Sequence, residues 1–168
     1  MSYRGTTGYD HSSLPLTGVL LTNLGTPEAP TAKALRPYLK QFLSDPRVVE
    51  VPRLIWWLIL NGIILNTRPR RSAEAYSEVW TERGSPLLYH LMDQVSGVEE
   101  RLQARFGNHI LVRGAMRYGN PSIPNVLQDL FEAGVQRLVV LPLYPQYAGP
   151  TTGSTYDEIA ADFLKRRW

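Results

Sequence analysis

The residues best placed to do chemistry lie in three short stretches: Leu24-Gly25-Thr26-Pro27, Met116-Arg117-Tyr118-Gly119-Asn120-Pro121, and Pro145 to Thr155. Arg117 and Tyr118 set a cation beside an amphipathic ring, a pair that suits an anionic or flat ligand in a cleft and equally suits an ion pair next to a core tyrosine. Pro145 to Thr155 holds small residues ahead of a helix N-terminus, which makes it an anion cradle by its chemistry. No Lys follows its glycine, so it is not a phosphate-binding P-loop. With no cysteine in the chain, disulfides, thiolate metal sites and cysteine nucleophiles are excluded, and a reducing cytoplasm is compatible. The three histidines sit apart: His11 in a polar leading stretch, His90 off a helical stripe, and His109 at a strand start. No metal-ligand cluster or catalytic residue is assigned on these grounds.

These stretches need a scaffold that gathers strand ends, and the hydrophobic pattern provides one. The chain of 168 residues, 43% hydrophobic, can bury one core. Gly18 to Leu24 reads as a buried parallel strand, His109 to Tyr118 as a second and Arg137 to Tyr144 as a third. Between them fall helical patterns. Thr31 caps one carrying Leu35, Tyr38, Leu39, Phe42 and Leu43, which Pro37 should kink or restart and Ser44-Asp45-Pro46 should close. Pro69 to Trp80 fits another, and Ser85-Pro86 opens a long helix that Gly107 stops. Pro124 to Ala133 and a helix from Ser154 or Thr155 complete the set, the last with Asp157 and Glu158 set against its N-terminal dipole. Alternating strands and helices predict an α/β fold with a doubly wound parallel sheet and helices on both faces. In such a sheet the three stretches converge on one crevice.

Leu54 to Leu65 is the unusual segment, apolar nearly all round and too short to span a bilayer. Its paired Trp56 and Trp57, with Leu54 and Leu58, precede Arg68, Arg70 and Arg71. A partly exposed lip for a large flat hydrophobe or a membrane surface fits this better than a core helix. The net charge of +3, with scattered arginines, makes no case for nucleic acid. Residues 1–17 lack the apolar run of a signal peptide and read as a flexible tail ahead of a domain covering 18–168.

Leu24-Gly25-Thr26-Pro27, Gly84-Ser85-Pro86, Met116-Arg117-Tyr118-Gly119, and Leu143-Tyr144-Pro145-Gln146-Tyr147 followed by Thr151-Thr152-Gly153-Ser154, in this order and spacing, resemble the amino-terminal half of a bacterial ferrochelatase. The resemblance runs from Leu16 to the end. It implies one chelatase-like domain of a two-domain fold, truncated before the second, in an enzyme that inserts ferrous iron into protoporphyrin IX. The absence of cysteine and of a signal peptide fits a cytoplasmic setting, and the paired Trp with neighbouring Arg residues adds an expected peripheral contact at the inner membrane face. By the same likeness Leu24 lies against the macrocycle, Arg68 and Ser85 lie near the propionates with Tyr76 beside them, and Arg117, Tyr118, Tyr144 and Tyr156 line the pocket. Leu54, Trp56, Trp57 and Leu58 match the family's porphyrin lip. The family's metal- or proton-handling histidine and its partner glutamate belong to the other half, so the implied partners are porphyrin and that half. Gly149 stands where iron-sulfur members carry a cysteine, so no cluster ligand is expected here. Some relatives acting on coproporphyrin carry tyrosine in place of Leu24, which favours protoporphyrin. Two other classes compete with this reading: a doubly wound module that holds an anion at Gly149 to Thr155, and a membrane-surface domain built on the lip.

Overall fold

A computed structural model describes residues 14–167. His11 and most of the expected tail lie outside the described residues, and Thr17, assigned to that tail, already begins the first strand. The central strand β1 (Thr17–Thr26) pairs in parallel with β2 (Ile110–Gly119) on one side and β3 (Arg137–Pro142) on the other. Its run of apolar residues is continuous because both faces are covered. Successive side chains point to opposite faces. Leu20 therefore packs with Ala115 against α5 (Ile123–Glu132) and α6 (Ser154–Arg166), through Val126, Leu127, Leu130 and Ile159. Leu21 packs with Val112 and Met116 against Leu91, Val95 and Val98 of α4 (Pro86–Phe106). The sheet is thus all parallel, flanked by helices on both faces.

At the carboxyl ends β1 and β2 approach closely at two glycines. Gly25 has φ +127°, and a Cβ there would stand 1.9 Å from the Tyr118 carbonyl oxygen. Gly119, with φ +85°, would place its Cβ 2.5 Å from the oxygen of Thr26. Each strand end leaves room only for the other's bare backbone. The third strand stops at Pro142, two residues short of the predicted Tyr144, and the Leu143 amide makes a last bond to Thr22 O at 2.8 Å. β3 pairs on one side only among the described residues. On the α4 side of the sheet its Val139 and Leu141 remain half exposed.

The helix α1 (Ala32–Ser44) is capped by Thr31, whose hydroxyl accepts from the Ala34 amide at 3.3 Å. It runs through Pro37 without restarting. The next stretch departs further from expectation: α2 (Arg53–Ile59) leads through a π-turn segment, Leu60–Ile64, into α3 (Leu65–Val79), so Pro69 lies inside a helix rather than at its start. Pro69 has no N–H for the carbonyl of Leu65, four residues back. Arg36 of α1 supplies the missing donor, its Nη1 lying 2.8 Å from Leu65 O and 3.0 Å from Asn66 Oδ1. Side chains also serve the widened turn, with Asn66 Nδ2 donating to Asn61 O and Gly62 O and Thr67 Oγ1 to Ile63 O. Arg36→Ala is expected to cost about 1 kcal/mol. That cost should shrink by at least half in a Pro69→Ala background, where the helix regains its own donor, and additive losses in a urea-denaturation cycle would contradict this account.

Candidate functional site

The carboxyl ends of β1 and β2 are roofed by α1, α2 and α3. Leu35, Tyr38, Leu39 and Leu43 of α1 pack with Leu60, Leu65 and Tyr118 into a third apolar cluster, joined at its margin by Leu24, Trp56 and Tyr76. The Tyr38 hydroxyl donates to Gly25 O at 3.2 Å, and its ring meets Tyr76 edge-on at 6.3 Å. Burial, with the neighbouring Tyr76 hydroxyl, pushes the Tyr38 phenol far above its ordinary range and keeps it a donor. Phe42 meets Tyr118 edge-on at 5.1 Å. Of the residues singled out in the sequence, the structure therefore brings Leu24, Tyr76, Tyr118 and Trp56 together.

Arg117 and Tyr118 do not face an open cleft. Tyr118 is fully buried, and the Arg117 guanidinium lies 4.6 Å from its ring centroid. Both converge on Asp45, the residue that closes α1. Asp45 Oδ2 accepts from Arg117 Nη2 at 2.8 Å, from Tyr118 Oη at 2.7 Å and from Ser154 Oγ, while Oδ1 accepts from the Arg47 amide at 2.7 Å. Arg117 also donates to Ser154 Oγ at 2.7 Å and Ser154 O at 3.0 Å, and pairs with Glu158 at 3.1 Å. Burial disfavours the Asp45 carboxylate, but the hydrogen bonds from Ser154, Tyr118 and the Arg47 amide, with the Arg117 charge, outweigh it and hold its carboxyl below the usual range. Burial likewise pushes the Tyr118 phenol well up, so it donates throughout the physiological range.

Sequence reasoning treated Asp45 as a helix closer and Asp157 and Glu158 as helix-dipole partners. In the fold Asp157 pairs with Arg47 and Glu158 with Arg117. The side chains that Asp45 binds, those of Arg117, Tyr118 and Ser154, are 72 to 109 residues away, so no local spacing announces them. The expected anion cradle is changed in the same way. Gly149–Gly153 forms a π turn into α6, and the anion meeting the first residue of that helix is the chain's own Asp45 carboxylate.

The other singled-out residues lie around this centre. Tyr144 is half-buried near Thr155, its hydroxyl buried without a hydrogen-bond partner among the described residues and shifted upward by that burial. Ser85 is buried at the N-cap of α4, where its carbonyl accepts from the Leu88 and Tyr89 amides. Arg68 is exposed on α3 and Tyr156 on α6, both outside the apolar cluster. His90 is exposed.

The segment α2 has no buried residue. Leu54 is 76% exposed, Trp57 60% and Leu58 58%, an apolar ridge standing in solvent. Trp56 differs from its lip neighbours: it turns inward, and its indole N–H donates to Leu43 O at 2.6 Å. Arg53 Nη2 donates to Ser44 O, also at 2.6 Å. Helices leave their last carbonyls without partners, and here the lip supplies two of the donors. Among the described residues, no helix is long and apolar enough to cross a membrane, and no group of three or more His, Cys, Asp or Glu could hold a metal ion.

A family model described as Ferrochelatase matches residues 16–168. The chain is 68% identical over 160 residues to the ferrochelatase of Teredinibacter turnerae, covering 95% of this chain and 44% of that protein. It is 61% identical over its whole length to the ferrochelatase of Idiomarina loihiensis and 58% identical to that of Marinobacter nauticus, covering 46% and 45% of those proteins. The chain spans about half the length of the curated relatives it matches.

Proposed function

The chain belongs to the ferrochelatase family, and from that premise we propose that it forms the porphyrin-binding half of an enzyme that inserts ferrous iron into protoporphyrin IX. The observation that carries this reading is the apolar cluster at the carboxyl ends of β1 and β2, where Leu24, Tyr76 and the lip's Trp56 meet. Beside it stands the exposed ridge of Leu54, Trp57 and Leu58. A flat macrocycle gains affinity from such a surface in proportion to the apolar area it covers. The exposed Arg68 on the helix that follows is a cation suited to a propionate.

Metal insertion requires the macrocycle to bend so that its nitrogens meet the incoming ion, and two pyrrole protons must leave. This half provides shape and cationic anchoring. Arg117 and Tyr118 act behind the surface: committed to Asp45, Ser154 and Glu158, they fix the floor under Leu24. The proton acceptor and the iron donors come from the other half, and this chain alone binds porphyrin weakly without turnover.

Fluorescence quenching of the full-length protein by porphyrins tests the reading. Protoporphyrin should bind tighter than coproporphyrin, because four carboxylates sit poorly beside an apolar ridge. Trp57→Ala/Leu58→Ala should weaken protoporphyrin about tenfold or more, having removed two large exposed apolar side chains. Tighter binding of coproporphyrin, or an unchanged double variant, would overturn it. The same ridge, with Arg68, Arg70 and Arg71, supports peripheral contact with the inner face of a membrane, worth about 1 kcal/mol per basic residue at an anionic surface. Flotation with anionic vesicles should be salt-sensitive and should fall in the double variant. Equal flotation would remove the ridge from the membrane reading.

A further inference from the structure

We propose that Asp45 is the positioning residue of the apolar lip, one carboxylate that fixes where the ridge stands relative to the carboxyl ends of the sheet without itself touching a ligand. The exposed ridge of the lip has little of its own to hold it, since no residue of α2 is buried and the lip's buried anchors, Leu60 and Leu65, come after it. Two of its ties are the bonds from Trp56 and Arg53 to Leu43 O and Ser44 O, the last carbonyls of α1. The next residue is Asp45. Its amide bonds back to Phe42 O, and its carbonyl accepts from Val48 and Val49, both at 3.0 Å, shaping the turn that leads toward α2. Its carboxylate then grips the far side: Arg117 and Tyr118 at the end of β2 and Ser154 at the start of α6. A chain of hydrogen bonds thus runs from the ridge through the end of α1 and this one side chain to the sheet. Four donors surround the carboxylate, whose side chain is 5% exposed, so its lone pairs are engaged by the protein.

Asp45→Asn keeps the shape but removes the charge and places an amide donor among donors. In the full-length protein, hydrogen exchange of amides 48–60 should accelerate about tenfold or more, while β1 and β2 amides, the internal reference, change less than about threefold. The kinetic arm rests on the proposed porphyrin function: KM for porphyrin should rise about tenfold with kcat within about twofold, because a displaced ridge loses binding that substrate and transition state share. Ser154→Ala, which leaves the Arg117 pair intact, should give the same pattern at smaller size and serves if Asp45→Asn does not fold. Unchanged lip exchange in a folded variant, equal acceleration of lip and sheet, or a fall in kcat at constant KM would overturn the assignment. A wild type that binds no porphyrin would instead overturn the proposed function, and the exchange arm would still decide the role of Asp45.

Discussion

Gly25→Ala is expected to destabilise the full-length protein by about 4 kcal/mol or more, near the top of what one substitution does. Two independent penalties add. The residue sits at φ +127°, a conformation that L side chains rarely adopt, and its new methyl would lie 1.9 Å from the Tyr118 carbonyl oxygen and 2.8 Å from its carbon. Those are backbone atoms in a paired strand, so no rotamer change relieves the clash. Gly119→Ala should follow at somewhat smaller cost, its Cβ meeting the oxygen of Thr26 at 2.5 Å. Gly97→Ala is the control, because nothing lies within 4 Å of its Cβ site on α4. It should gain up to about 1 kcal/mol from helix propensity. Urea midpoints rank the three, and a Gly25 variant within about 1 kcal/mol of wild type would mean the strand ends are not as close as described.

Arg117→Met should cost about 3 kcal/mol at neutral pH, because it strands two carboxylates, Asp45 and Glu158, that now share one guanidinium. Its signature is the pH dependence. The Asp45 carboxyl titrates below its ordinary range in the fold, so the stability it contributes is fully present above about pH 4 and is lost as pH falls through the depressed folded value. Losing the Arg117 charge removes one of the influences holding that value down, so acid unfolding should begin at higher pH in the variant. Thermal melts from pH 7 to pH 3 measure this. A variant whose acid limb coincides with wild type would show that Arg117 does not set the Asp45 ionisation.

The layout of the sheet was legible because each strand and helix announces its own periodicity. Leu20 and Leu21 alternate faces, and Thr31 and Gly107 mark helix ends by local chemistry. The strand-end stretches could also be ranked as a site, since the parallel topology gathers them wherever the side chains point. What sequence could not supply was the pairing of residues across the crevice. Arg117 and Tyr118 were readable as ligand-facing or as structural, and their bonds to Asp45, which arrives from the end of a distant helix, have no local signal in the sequence. Pro69 misled for a related reason. A proline inside a helix is tolerated when another element satisfies the freed carbonyl, and Arg36 does so from 29 residues away.

The half-exposed Val139 and Leu141 govern how the chain behaves in a tube. Strand β3 offers a row of backbone donors and acceptors along a side that no described residue pairs, and its α4-side face is apolar there. Such an edge is a template for a neighbouring molecule's strand, so a concentrated preparation of this chain would lose material to edge-to-edge association before it lost its fold. A lysine at position 139 would act as a gatekeeper, repelling incoming strands while leaving the hydrogen-bonded partner strand β1 untouched.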